Sequence, residues 1–189
     1  ETILLCVIIL LTLLSAWLLK PVSPLLIPVF IAPILITILL DLRLAIIVNV
    51  LLSFAAWLIT NGDQQFIYIA IIGGTASAFI VSGANQRSRL SISGVVIALI
   101  NSLVVVCIGL MNKSDLRTIA YDSAMVSVNG LLSVIFTIGV LPIFESIFNI
   151  ITPLKLLELA NPNQPLMKRL LLEAPGTYHH SLMVGNLAE

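Results

Sequence analysis

Apolar residues in this chain come in six long runs, separated by short clusters of charged and turn-forming residues. The runs cover about 2–19, 25–40, 44–60, 66–82, 92–111 and 119–141. A bilayer-crossing helix needs ~20 apolar residues, within a range of ~17–25, so five runs qualify by length and the second is marginal. Pro24, Pro28 and Pro33 also make that second run irregular. It is expected to cross, because neighbouring helices can re-satisfy backbone groups freed by proline; a re-entrant segment is the alternative. The breaks at Lys20–Pro24, Asp41–Arg43, Asn61–Gln65, Gly83–Ser91 and Asn112–Thr118 are short. Short connections make successive helices antiparallel neighbours. The expected fold is an all-α, polytopic membrane bundle over 1–144.

Composition agrees with that pattern. The 189 residues are 59% hydrophobic and 10% charged, with a mean hydropathy of +1.15. Soluble domains carry roughly 25% charged residues, so a soluble fold is excluded. A formal net charge of zero argues against binding a nucleic-acid polymer. Cys6 and Cys107 lie in apolar runs, where free cysteine acts as a small hydrophobe, and no disulfide framework is expected. Leu4–Leu19 has the length of a signal-peptide core, but no basic segment precedes it and no small-residue cleavage site follows. With Glu at position 1, the chain reads as a piece of a longer protein.

Lysine and arginine set the orientation. One side collects Arg43, Arg87, Arg89, Lys155, Lys168 and Arg169; the other holds Lys20, Lys113 and Arg117. Six against three favours the first side as cytoplasmic, which puts both ends of the chain there. Acidic residues are scarce within the runs, and Asp122 and Glu145 fall near the ends of the sixth, where an interface can solvate them. Mid-span polarity comes from Asn49, Asn101 and Asn129, with Ser53, Ser102 and Ser127 nearby. Interhelical hydrogen bonding, worth under about 2 kcal/mol each, is the preferred reading; a polar binding cavity is the other. Small residues repeat at spacing four along Ala70, Gly74, Ala78 and Ser82, and again along Gly94, Ala98 and Ser102. Such stripes admit close backbones, so the fourth and fifth helices are expected to pack on one another.

Beyond Leu141-Pro142 the pattern turns amphipathic, and 145–176 reads as a connector. Thr152-Pro153 is a helix start, with a hydroxyl cap and proline at the first helical position. Asn161-Pro162 ends that helix and Pro165 opens another over Leu166–Glu173. Short helices of this kind lie in a membrane interface or pack on a following domain. Pro175-Gly176 is read as stopping the second connector helix, with Thr177 capping a third over 177–189. This third helix holds both histidines. His180, Val184 and Leu187 share its apolar side, which places His180 towards a buried face, and His179 diverges from it by about 100°. Adjacent histidines on a helix therefore cannot chelate one metal, and a buried histidine by itself is more often structural than a ligand.

The run Glu173-Ala-Pro-Gly-Thr-Tyr-His-His-Ser-Leu-Met-Val-Gly-Asn-Leu-Ala-Glu189 resembles the entry to the catalytic domain of the seven-transmembrane HD phosphohydrolases, bacterial membrane proteins that include cyclic-di-AMP phosphodiesterases. Pro142-Ile-Phe-Glu145, Thr152-Pro-Leu-Lys-Leu-Leu-Glu-Leu-Ala-Asn-Pro162 and Pro165-Leu-Met-Lys-Arg-Leu-Leu-Leu172 resemble the same family's membrane-to-HD junction. The resemblance implies an extracellular domain, seven membrane helices, of which six are visible, and a cytoplasmic HD domain beginning near 177. It implies that His180, before Ser181, is the first ligand of a manganese- or iron-type metal pair, with His179 not assigned that role. The remaining ligands, a His-Asp pair and a later Asp, are not within these 189 residues. Accordingly, 1–189 is expected to bind no cofactor and to hydrolyse no cyclic dinucleotide on its own. The expected partners are the bilayer and, through the HD domain, the cyclic dinucleotide; a homo-oligomer is left open. A small-molecule transporter or channel, or a ligand-binding receptor module, is the alternative.

Overall fold

The computed structural model describes residues 2–21, 23–84, 87–161 and 163–188, with the side chains of 87 and 88 outside the description. Pro162 and Glu189, on which parts of the connector and terminal readings fall, also lie outside it. Among the described residues all regular structure is helical. The chain divides into two units, Glu1–Ile150 and Ile151–Glu189.

In the first unit the longest apolar runs form helices α1 (Thr2–Leu19), α3 (Leu42–Ile59), α4 (Gln64–Ser82), α5 (Arg87–Met111) and α6 (Leu116–Phe148). All five contain a stretch long and apolar enough to cross a membrane. Two begin earlier than the apolar pattern alone implies, because an aspartate caps them. Asp41 accepts from Arg43 N at 3.1 Å, and Asp63 accepts from Gln65 N at 2.9 Å and Phe66 N at 3.3 Å. Helix α6 runs well past the expected end at 141, with Pro142 inside it. Membrane helices tolerate proline where their surroundings absorb the lost bond. The stop comes instead at Asn149, in the left-handed conformation (φ 52°, ψ 40°), with Ile150 N donating to Glu145 O at 3.1 Å. Extending α6 also changes the reading of Glu145, which is 6% exposed rather than solvated at a helix end.

The second apolar run is not a continuous helix. It forms a 3-10 turn at Pro24–Leu26, non-helical backbone to Phe30, and a nine-residue helix α2 (Ile31–Leu39). The prolines explain the break. Ser23 and Ile27 each precede a proline and are extended (ψ 133° and 118°), as steric contact with the proline ring requires. Pro33 sits in the first turn of α2, where it displaces no helical hydrogen bond. Nine residues span only about 14 Å, under half of a ~30 Å hydrocarbon core.

The chain nonetheless passes from one end of the bundle to the other here. Lys20, following α1, donates its Nζ to Oδ1 of Asn61, following α3, at 2.9 Å. Ala16 and Ala56 share a buried cluster with Ile27, Val29, Phe66 and Ala70. The C-terminal ends of α1 and α3 therefore lie together, and the two helices run in the same direction. A re-entrant segment would have made them antiparallel. Gln65 donates to Asp122 at 3.2 Å, which brings the starts of α4 and α6 to this same end. The broken crossing occupies the interior: seven of the nine residues of α2 are buried.

The small-residue stripes face partners other than the expected ones. A Cβ on Gly94 would meet Val134 at 3.2 Å, one on Gly130 would meet the Ala98 backbone at 3.3 Å, and Ser102 Oγ lies 2.5 Å from Ser127 Oγ. The α5 stripe thus packs on α6. Gly74 of the α4 stripe packs on α3, and Ser82 is exposed. Helices α4 and α5 do meet, through Gly73 rather than Gly74.

The second unit contains α7 (Pro153–Leu159), α8 (Pro165–Glu173) and α9 (Pro175–Ala188). Thr152 caps α7, accepting from Lys155 N at 3.2 Å. An exposed Arg169–Glu173 pair at 2.8 Å links successive turns of α8, a contact worth little in water. Ala174 alone breaks α8 from α9 (φ −140°, ψ 61°). Pro175-Gly176 opens α9 instead of stopping α8, and Thr177 lies inside the helix, because proline at the first helical position has no N–H to leave unpaired.

Candidate functional site

The mid-span asparagines of the first unit fall into two arrangements. One is built by the broken crossing. Non-helical backbone leaves carbonyls without helical partners, and in hydrocarbon each such group costs several kcal/mol unless protein satisfies it. Asn129, mid-way along α6 and 4% exposed, supplies that satisfaction. Its Nδ2 donates to Leu25 O at 2.8 Å and to Ile27 O at 2.9 Å, using both amide hydrogens. Its Oδ1 accepts from Ser133 Oγ at 3.2 Å. The side chain fastens α6 to the break.

The second arrangement surrounds the Gly73-Gly74 pair of α4. Asn49 reaches it from α3 and Asn101 from α5, and both are buried. Each Oδ1 lies inside the space a Cβ would occupy, that of Asn49 at Gly74 and that of Asn101 at Gly73. Glycine is required here for close approach, not for backbone conformation. Asn49 Nδ2 makes long contacts to Ala70 O (3.4 Å) and Ile71 O (3.3 Å). Oδ1 of Asn49, Oγ of Ser53, and both polar atoms of Asn101 have no hydrogen-bond partner among the described residues. The geometry sets each amide oxygen against a glycine Cα–H, a weak donor.

The structure therefore brings Asn49 to Gly74, and it sets Asn101 beside Gly73, a residue outside the spacing-four stripe. The Gly-Gly pair was the available signal for it. Asn129 makes its bonds elsewhere, to a part of the chain about a hundred residues away. Interhelical bonding describes Asn129, Asn49 and the Ser102–Ser127 contact, but not Asn101.

The histidines lie in α9, and both are exposed. The burial expected for His180 is not found, because no residue of α9 is buried: Met183, Val184 and Leu187 are 59%, 49% and 87% exposed. Among the described residues of this unit, none buries that apolar side. The Tyr178 and His179 rings meet edge-on, with centroids 5.7 Å apart. Among the described residues no three of His, Cys, Asp and Glu come together as a metal-binding group. One exposed imidazole does not make a divalent-metal site, so no chemical step follows from these residues.

Comparison with known proteins gives the bundle its context. Residues 1–152 match the family described as 7TM receptor with intracellular HD hydrolase. The chain is 36% identical over 166 residues to a protein of Listeria monocytogenes serotype 1/2a (strain 10403S) named cyclic-di-AMP phosphodiesterase PgpH, covering 86% of this chain and 23% of the relative. It is 34% identical over 172 residues to the protein of that name from Bacillus subtilis (strain 168), covering 87% and 24%. An uncharacterized Synechocystis protein, slr0104, is 36% identical over 135 residues, 67% of this chain and 17% of that relative. The chain thus spans about a quarter of the length of the phosphodiesterase relatives. No solved structure matches. The chain, a multi-pass membrane protein by its apolar helices, belongs to the family of 7TM receptors with an intracellular HD hydrolase.

Proposed function

We propose that these residues are the membrane region of a metal-dependent phosphodiesterase that hydrolyses a cyclic dinucleotide of the cyclic-di-AMP class. The observation that carries this reading is the 36% and 34% identity to two relatives named for that activity, sustained over most of the chain. In this reading the bundle anchors the enzyme in a bacterial plasma membrane, with both ends of the chain cytoplasmic, and passes signals to the hydrolase. The excess of Lys and Arg on one side supports that orientation. The unbroken course of α6 from Leu116 to Phe148 supports the signalling role, since one rigid element joins the Asn129 layer to the start of the connector. Residues from about 177 onward begin the HD domain, where His180 is one ligand of a manganese or iron pair completed by residues outside this chain; imidazole suits iron, and a mixed imidazole and carboxylate set suits either metal.

The test has two arms. Residues 1–189, assayed with cyclic-di-AMP and Mn²⁺, are expected to show no turnover; hydrolysis by this chain alone would overturn the division of labour. In the longer protein, His180→Ala is expected to lower bound metal and activity by more than about tenfold, the loss that follows when groups merely supporting a ligand are removed. His179→Ala is expected to do so less, and equal losses would refute the ligand assignment.

The interrupted crossing supports a second reading, since transporters bind solutes at broken helices. Flux in proteoliposomes that disappears with Asn101→Leu or Asn129→Leu would favour it. The carbonyls at the break are already taken by Asn129, which weighs against it.

A further inference from the structure

A pocket opens between the end of α4 and the start of α5, lined by Ile80, Gly83 and Ala84 on one side and by Arg89, Ile92 and Val96 on the other. It straddles the edge of the apolar belt. The part of α4 able to cross a bilayer ends at Ser82, and that of α5 begins at Arg89. Gly83 and Ala84 therefore lie just beyond the belt, while Val96 lies two turns of α5, roughly 11 Å, inside it. Lipid headgroups and water face the mouth of the pocket, and hydrocarbon faces its inner part.

The polar groups of this pocket are unevenly used. Ser93, also in the lining, donates its Oγ to Leu90 O at 2.6 Å. The N–H groups of Gly83 and Ala84 both donate to Val81 O. Arg89 is exposed, and among the described residues it has neither an ion-pair nor a hydrogen-bond partner. No acidic residue belongs to the lining. The pocket thus sets one uncompensated positive charge at its mouth, above an inner surface of Ile80, Ile92 and Val96. A guanidinium matches a phosphate through parallel N–H donors, so the charge selects a phosphate-bearing partner. Depth completes the choice. A free anion has no use for the apolar surface, and a neutral chain leaves the cation unanswered. A molecule that is anionic at headgroup level and apolar just below answers both.

We propose that this pocket binds one anionic phospholipid, with Arg89 holding the phosphodiester and the first segment of an acyl chain lying on Ile92 and Val96. Basic pockets between membrane helices recognise lipid headgroups in this way. The proposal requires only that α4 and α5 cross a bilayer, and it is independent of the hydrolytic reading. A lipid held there bridges the two helices at the end where one leads into the other.

The test reconstitutes the 189-residue chain in nanodiscs holding equal amounts of phosphatidylglycerol, whose phosphodiester charge is unbalanced, and phosphatidylcholine, whose charge is balanced within the headgroup. The chain is released into detergent, and the lipid it retains is identified by native mass spectrometry. Retained phosphatidylglycerol is expected to exceed phosphatidylcholine by at least about tenfold, the weight of one charge-assisted hydrogen bond. Arg89→Gln is expected to remove that preference. Gly83→Phe is expected to lower retained phosphatidylglycerol by a similar factor, because a Cβ there meets no atom within 4 Å and the ring can fill the mouth without a clash. Arg43→Gln, which removes another exposed charge at the same end of the bundle, is expected to leave the preference intact. Equal retention of the two lipids by the unsubstituted chain overturns the proposal. Equal losses in Arg43→Gln and Arg89→Gln also overturn it, since they mean attraction to surface charge alone. Release of phosphatidylglycerol by millimolar inorganic phosphate overturns it in favour of a plain anion site.

Discussion

Asn129 and Asn101 are both buried carboxamides, on the neighbouring helices α6 and α5, yet one is fully bonded and the other has no partner. The difference lies in the backbone that each faces. Asn129 meets chain broken by Pro24 and Pro28, whose carbonyls have no helical N–H and take both amide hydrogens. Asn101 meets intact α4, whose carbonyls are already occupied four residues on, and only a glycine Cα–H is available to it. A buried asparagine in a membrane bundle is therefore a hydrogen-bonding group where the opposing backbone is interrupted, and mainly a shape-filling group where it is continuous. Asn49, also against α4, is intermediate, with two long contacts to carbonyls that already serve the helix.

Substitutions can break this comparison, and the largest effect is expected at the glycines. Gly74→Val places a branched side chain where the buried Asn49 amide lies, so that amide must be displaced within a packed interior. A loss of about 3 kcal/mol is expected from overpacking, measured by unfolding in mixed micelles. Asn129→Leu comes next, with an expected cost of about 2 kcal/mol, because the Leu25 carbonyl loses its donor and that of Ile27 keeps only the Val29 N–H. Asn101→Leu should have the smallest effect and the opposite sign, a gain of up to about 1 kcal/mol, since it removes polar atoms that have no partner. If Asn101→Leu destabilises the bundle as much as Asn129→Leu, the distinction between bonded and packed asparagines is wrong. If Gly74→Val is neutral, α3 and α4 are not held at the distance that Asn49 and Gly74 define.

The bundle and the terminal unit also differ in how far the sequence could be read. In the bundle the mid-run polar residues Asn49, Ser53, Asn101 and Asn129, legible in the sequence, are buried, because a helix in hydrocarbon must turn its polar groups inward. In α9 the apolar face of Val184 and Leu187 was legible, but its exposure was not, since burial depends on what packs against a helix and the described residues of this unit leave that face open. The same reason separates the expected environment of His180 from the observed one. The helix start at Thr152 was readable from its cap, whereas α3 and α4 begin two residues before the apolar runs at 44–60 and 66–82. The end of α6 was not legible, because proline stops a helix only where nothing nearby compensates for the lost bond.

By itself the sequence determined what rests on neighbours along the chain: apolar runs long enough for a bilayer, the Thr152 cap of the first connector helix, and the irregularity of a proline-rich run. It also carried the family resemblance in its short motifs. The tertiary structure decided everything that depends on distant parts of the chain. It set α1 parallel to α3, turned the α5 stripe to α6 and the Gly74 stripe to α3, and joined Asn129 to carbonyls about a hundred residues earlier. Local steric and hydrogen-bonding rules act within a few residues and leave a mark in sequence. The pairing of helices is chosen by how whole surfaces fit, and many surfaces of similar apolar composition satisfy the same local rules.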